Sequence, residues 1–164
     1  VTTRRQLILD SMVALLGAIS TAAGYNTNVA TVAGGGGAQK LGNPANAARL
    51  APWLVVACES EDKREARHNY FEPTATYSVT CYVRDDGETP LDDLLEAILE
   101  DVERVLLTAK DADPPLGVAG AMDVHVEGHT KLPRDEEGFL IAALTARVQY
   151  RHDLRHPGTF TASP

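Results

Sequence analysis

Between Thr74 and Val83 the chain alternates without a break: Ala75, Tyr77, Val79, Cys81 and Val83 are set against Thr76, Ser78, Thr80 and Tyr82. Successive side chains of a strand point to opposite faces, so a segment patterned this way buries one face only. It predicts a half-buried antiparallel strand, ended by the turn residues Asp85-Asp86-Gly87. Phe139 to Arg151 repeats the pattern at greater length, with Leu140, Ala142, Leu144, Ala146, Val148 and Tyr150 on one side and Arg147, Gln149 and Arg151 on the other. A sheet with one apolar face needs a second layer to cover it.

Two stripes at helical spacing can supply that layer. From Arg4 to Ser20 the apolar positions are Leu7, Ile8, Met12, Leu15, Leu16 and Ile19, with Thr2 or Thr3 as N-cap and Gly24 near the stop. The second stripe opens at Thr89-Pro90-Leu91-Asp92: a Thr cap, Pro at the first helical position and carboxylates in the first turn. Leu91, Leu94, Leu95, Ile98, Val102, Val105 and Leu106 then carry it to about Lys110. Further strands are expected at 27–32, as a short strand or arm, at Trp53–Cys58, whose continuous apolar run suits burial on both faces or a place at the centre of a sheet, and at Ala121–Val126. Residues 33–51 hold Gly34-Gly35-Gly36-Gly37 and Asn43-Pro44 and are predicted to be a flexible loop; 152–164 is predicted to be a mobile tail. The densely charged stretch Glu59–Asn69 is expected to be an exposed loop, and Lys131–Gly138 a charged turn. The expected fold is a single α+β domain over residues 1–164: a mostly antiparallel sheet of about four to five strands with two amphipathic helices packed on one face.

Composition narrows the function. A net charge of −8 argues against a free-standing nucleic-acid binder, whose affinity would rest on cation–phosphate contacts, though an acidic surface still lets DNA pass nearby. The longest apolar stretches are broken by charges every two or three residues, far from the roughly 20 apolar residues that cross a bilayer. No basic segment leading into an apolar one opens the sequence, so no secretory signal is read. Cys58 and Cys81 are expected to be buried free thiols, with a disulfide between neighbouring strands as the alternative, and a reducing compartment suits them.

Motifs that carry chemistry are tested and set aside. The glycine run is followed by Ala38-Gln39-Lys40-Leu41-Gly42, without the Lys-Ser or Lys-Thr and the immediate helix of a phosphate loop. His125 and His129, and His152 and His156, are spaced by four, but no cysteine or carboxylate array completes a metal set. Ser11, Ser60 and Ser78 lack a nucleophile elbow. No catalytic, cofactor-binding or metal residue is therefore expected. Asp92, Asp93, Glu96, Glu100, Asp101 and Glu103 lie along the second helix, mostly on its solvent face. Local basic spots at Lys63, Arg64 and Arg67, and at Arg147, Arg151 and Arg155, are candidate contacts for a partner or a second copy.

Taken together, these pieces resemble the tail terminator (tail completion) proteins of long-tailed bacteriophages. The resemblance rests on the opening helix Arg4-Arg5-Gln6-Leu7-Ile8-Leu9-Asp10, the arm Asn26-Thr27-Asn28-Val29 and the core strand Pro52-Trp53-Leu54-Val55-Val56 with Glu59-Ser60-Glu61 after it. It continues through the strand 76–83, the acidic helix 91–107 and the ending Arg147-Val148-Gln149-Tyr150-Arg151. It spans nearly the whole chain as an order and spacing of elements, which related head–tail connector and neck proteins share. It implies a structural virion protein rather than an enzyme, with no cofactor. That protein forms a homo-oligomeric, hexameric ring at the tail–neck junction, after assembly in the host cytoplasm. The ring caps the tail tube protein, joins a head completion or neck protein and lets DNA through its lumen without touching a membrane. Asp92, Asp93, Glu96, Glu100 and Glu103 would then face the lumen. The rival classes are a small hydrolase, which would need a cleft gathering a cysteine with a histidine or two helix carboxylates, and a ligand-binding domain with one deep apolar pocket.

Overall fold

The computed structural model describes residues 2–34, 52–63, 65–67, 70–85, 87–133 and 139–153. Helix α1 (Arg4–Gly17) starts where Thr3 accepts a hydrogen bond from the Gln6 N–H at 3.2 Å. It buries Ile8, Leu9, Met12 and Leu16, whereas Leu7 is 38% exposed, so the core stripe is turned slightly from the one read in the sequence. Gly24 does not end α1: it closes a single 3-10 turn, Thr21–Ala23, that Ser20 caps.

Strand β1 (Thr31–Gly34) lies parallel to β2 (Trp53–Asp62). The strand expected at 27–32 thus forms later, because Thr27 is held by α2 (Leu91–Lys110) and not by the sheet. Gly34, the first residue of the glycine run, belongs to β1. A Cβ there would stand 2.9 Å from Val13 Cγ2, so only glycine lets this strand approach α1 so closely. Residues 35–51, the rest of the expected loop, lie outside the described residues.

Two small strands, β3 (Glu65–Arg67) and β4 (Tyr70–Phe71), follow β2. Next come β5 (Thr74–Val83), α2, β6 (Ala121–Leu132), β7 (Leu140–Tyr150) and β8 (His152–Asp153). The main sheet has the order β1-β2-β5-β7-β6 and is antiparallel except for β1, while β3, β4 and β8 form a second, three-stranded sheet. The fold is α+β, as the alternation requires.

Three charged or polar stretches read as loop, turn or tail are partly strand. β2 continues through Cys58, past a bulge, to Asp62, because the first residues of β5 offer it a ladder to pair with. β6 runs on to Leu132 against Ile141, and His152–Asp153 pairs with β4. Beyond them, 154–164 lies outside the described residues.

Both helices pack on one face, where Ile8, Met12, Leu16, Leu95, Ile98, Val102 and Leu106 meet Leu54, Val56, Tyr77, Val79, Leu144 and Val148 in one apolar cluster. Each fully buried side chain of this size contributes about 1.5–3 kcal/mol. Trp53, Val55 and Phe139 form a smaller cluster on the far face with Tyr82 and Ile141. Trp53–Val56 is therefore buried on both faces as expected, but Cys58 is exposed: β2 has run past the layer that covers Leu54 and Val56.

Candidate functional site

The end of the sheet where β2 and β7 finish and β5 begins lies against the first turn of α1. Thr3, Arg4, Arg5, Glu61, Lys63, Phe71, Pro73, Tyr150 and His152 line a cavity of about 210 Å³ there. Glu61 projects to the helix side of β2, opposite Ala75. One of its oxygens accepts from Arg5 at 3.1 Å and the other from the Tyr150 hydroxyl. The Tyr77 hydroxyl donates to the Arg5 carbonyl at 3.2 Å, and Arg4, 7% exposed, donates to the Ala119 carbonyl. Arg4, Arg5 and Lys63 thus line the cavity together with one carboxylate, Glu61, and with Phe71, Pro73 and Tyr150, a basic mouth in a chain of net charge −8. Lys63 is exposed and pairs with no carboxylate among the described residues.

Titration here does not favour acid–base or nucleophilic work. Burial raises the Tyr77 and Tyr150 phenols well above the ordinary tyrosine range, and the Glu61 charge adds to both. Burial also pushes the Cys81 thiol up to about 12. Cys58 is raised too, first by partial burial, although the residue as a whole is exposed; the Arg5 charge opposes this. Neither thiol is an activated nucleophile near neutral pH. Among the described residues no group of three or more His, Cys, Asp or Glu is placed to hold a metal ion.

The far face of the sheet has different chemistry at its two ends. Near Trp53 it is aromatic: Tyr82 stacks on Trp53 with ring centroids 4.1 Å apart, and Phe139 meets Tyr82 edge-on. Towards Asp62 it is a polar open groove of about 500 Å³, lined by Ser60, Asp62, Glu72, Thr74, Thr76, Arg147 and Gln149.

The basic residues singled out from the sequence do not converge. Lys63 lines the mouth, Arg147 lies on the far face and pairs with Glu127 at 2.9 Å, and Arg151 pairs with Glu72 at 3.1 Å. Arg67 lies on β3, and Arg64 and Arg155 are outside the described residues. Along α2, Asp92, Asp93, Glu96 and Glu100 are exposed and Glu103 is half-buried. Glu96 pairs with Lys131 at 2.6 Å, which lowers its carboxyl and raises the lysine, and Glu103 is 3.8 Å from His129. Asp101 departs from the solvent face: it is wholly buried. Arg4, Arg5, Glu61, Tyr77 and Tyr150 appear in the sequence reading only as parts of a helix, of strands and of a charged stretch, not as site residues. A carboxylate in strand phase at the end of β2 was the available signal for Glu61.

No model of a known protein family and no curated protein matches this chain.

Proposed function

We propose that the chain is a structural assembly protein of the tail-terminator type, acting as a hexameric ring that caps a phage tail tube and presents the surface to which the head-side neck protein joins. The observation that carries this reading is the one-sided layering: both helices cover the same face of the sheet, and the other face keeps its own aromatic cluster and a polar groove. A ring uses heterologous contacts, so each subunit needs two different complementary patches, which a one-sided sheet with segregated charge supplies. The order of the two helices and the main-sheet strands, helix, strand, two longer strands, helix, two strands, also suits it. The raised phenols and thiols lend no support to a hydrolytic site.

The partners of this reading are further copies of the chain, a tail tube protein and a head completion protein, with DNA passing through the lumen at the tail–neck junction of the virion. Light scattering across concentration and salt, followed by addition to polymerising tail tubes, tests it. A discrete six-subunit mass and tubes whose growth stops are expected. A monomer that leaves tube growth unchanged would overturn it.

A further inference from the structure

Resting on the ring reading, we infer that the contact between neighbouring copies is made head to tail, with the acidic start of α2 in one copy docking on the basic mouth of the next. The two patches lie at opposite ends of the molecule. Asp92 and Asp93 are exposed in the first turn of α2, and Glu96 one turn on pairs with Lys131, which sits beside Ala142 in the sheet. The mouth is built around Tyr150, eight residues further along β7. At a rise of about 3.3 Å per residue the two ends are about 26 Å apart. A copy therefore does not satisfy its own mouth with its own helix, and the complementary surfaces are left for different neighbours.

Charge and shape agree on the occupant. The mouth holds Arg4, Arg5 and Lys63 with His152 against Glu61 alone, and both Glu61 oxygens are already engaged. Arg5 is paired with Glu61 and Arg4 with the Ala119 carbonyl, so an incoming carboxylate would meet Lys63 and His152 at the rim and no unpaired carboxylate among the described lining residues, with Phe71 and Pro73 beside its apolar stem. The chain itself carries the matching group: Asp92 and Asp93 are exposed and make no direct salt bridge among the described residues, although the Asp92 charge also acts on Lys131. A contact built from two different patches on one chain is heterologous, the type that generates rings. Opposite charges at its rim would speed encounter and fix register more than they add affinity.

Charge exchange tests this. One variant carries Asp92→Lys and Asp93→Lys; a second carries Lys63→Glu and His152→Glu and leaves the Arg5–Glu61 pair intact. Circular dichroism and thermal melting establish that each is folded. At low salt each variant alone should need at least tenfold more protein than the wild type to assemble. A 1:1 mixture should regain the wild-type mass, because alternating copies then place opposite charges at every contact of an even-numbered ring. A chain with all four changes should also assemble alone. If the wild type forms rings and the single-patch variants match it, or the mixture of folded variants stays monomeric, the contact is wrong and the ring stands. If the wild type never assembles, even on tube ends, the ring reading falls and takes the contact with it.

Discussion

Asp101 binds Thr27 twice: its carboxylate accepts the Thr27 backbone N–H at 2.8 Å and the Thr27 hydroxyl at 2.7 Å. The Asn26 N–H supplies a third bond at 2.9 Å, and the carboxylate is wholly buried. These bonds fix the segment before β1 to the middle of α2, and with Arg104, which donates to the Gly24 carbonyl at 2.9 Å, they decide where β1 enters the sheet.

Removing that carboxylate leaves two backbone N–H groups to be resolvated or stranded, and stranding a buried donor is the costly outcome. Asp101→Ala should lower stability by about 3 kcal/mol in urea unfolding, and Asp101→Asn by about 2 kcal/mol, since an amide oxygen still accepts. Thr27→Val, which keeps the backbone bond, should cost about 1 kcal/mol. A loss under 0.5 kcal/mol for Asp101→Ala would mean the arm is not held this way.

How much of this was legible follows from where the information sits. Tyr77, Val79, Leu144 and Val148 announced their face through a period of two, and Leu95, Ile98 and Val102 through helical spacing, because burial on a regular element is written locally. Asp101 was legible in principle: it falls in register with Ile98 and Val105, and a carboxylate within an apolar stripe marks a buried acceptor. The general reading of the α2 carboxylates as mostly solvent-facing does not single it out. The parallel pairing of β1 with β2 was not legible, since nothing near Thr31 encodes its partner across the long connection. Cys58 looked buried because its neighbours are apolar; its exposure depends on where the helical layer stops. The basic mouth was hidden for the same reason, since Arg5, Glu61 and Tyr150 are brought together only by the ends of three elements.

The two thiols should separate cleanly by chemistry. Cys58 is exposed and Cys81 is buried, and both are free. A thiol reagent near pH 8 should modify one group per native chain and the second only on unfolding. The Cys58 rate should still be climbing above pH 9, since its thiol is raised from the ordinary value of 9.0. Cys81 also links stability to alkaline pH. Its folded value is about 12 against an ordinary 9.0, so the folded state holds the proton more tightly. That contribution is complete below pH 9 and is lost as pH rises from there towards 12, in the direction linkage requires. Cys81→Ala should flatten the alkaline fall in Tm; an unchanged slope would remove Cys81 as its cause.

Glu61 and Tyr150 should prove coupled. Glu61 is only 10% exposed in its side chain and shares its oxygens between Arg5 and the Tyr150 hydroxyl. Glu61→Gln and Tyr150→Phe should each cost about 1–3 kcal/mol, with the double variant costing about 1 kcal/mol less than their sum. Additive losses would show that the hydroxyl and the carboxylate act independently. Because the Tyr77 and Tyr150 phenols stay protonated, absorbance titration should reveal two tyrosines that ionise only with alkaline unfolding.

Trp53 is the one tryptophan, and its Nε1–H is buried with no hydrogen-bond partner among the described residues. Two terms then oppose each other on substitution. Trp53→Phe gives up part of the stacking on Tyr82 and leaves a small void, worth about 1–2 kcal/mol, but it also removes an unpaired buried donor of similar cost. The net change should stay within about 1 kcal/mol, whereas Trp53→Ala, which discards the ring as well, should lose about 3–5 kcal/mol. Urea unfolding followed by circular dichroism reads both without relying on the indole. A Trp53→Phe loss as large as that of Trp53→Ala would mean that the indole N–H is satisfied after all, and that the far-face cluster depends on it.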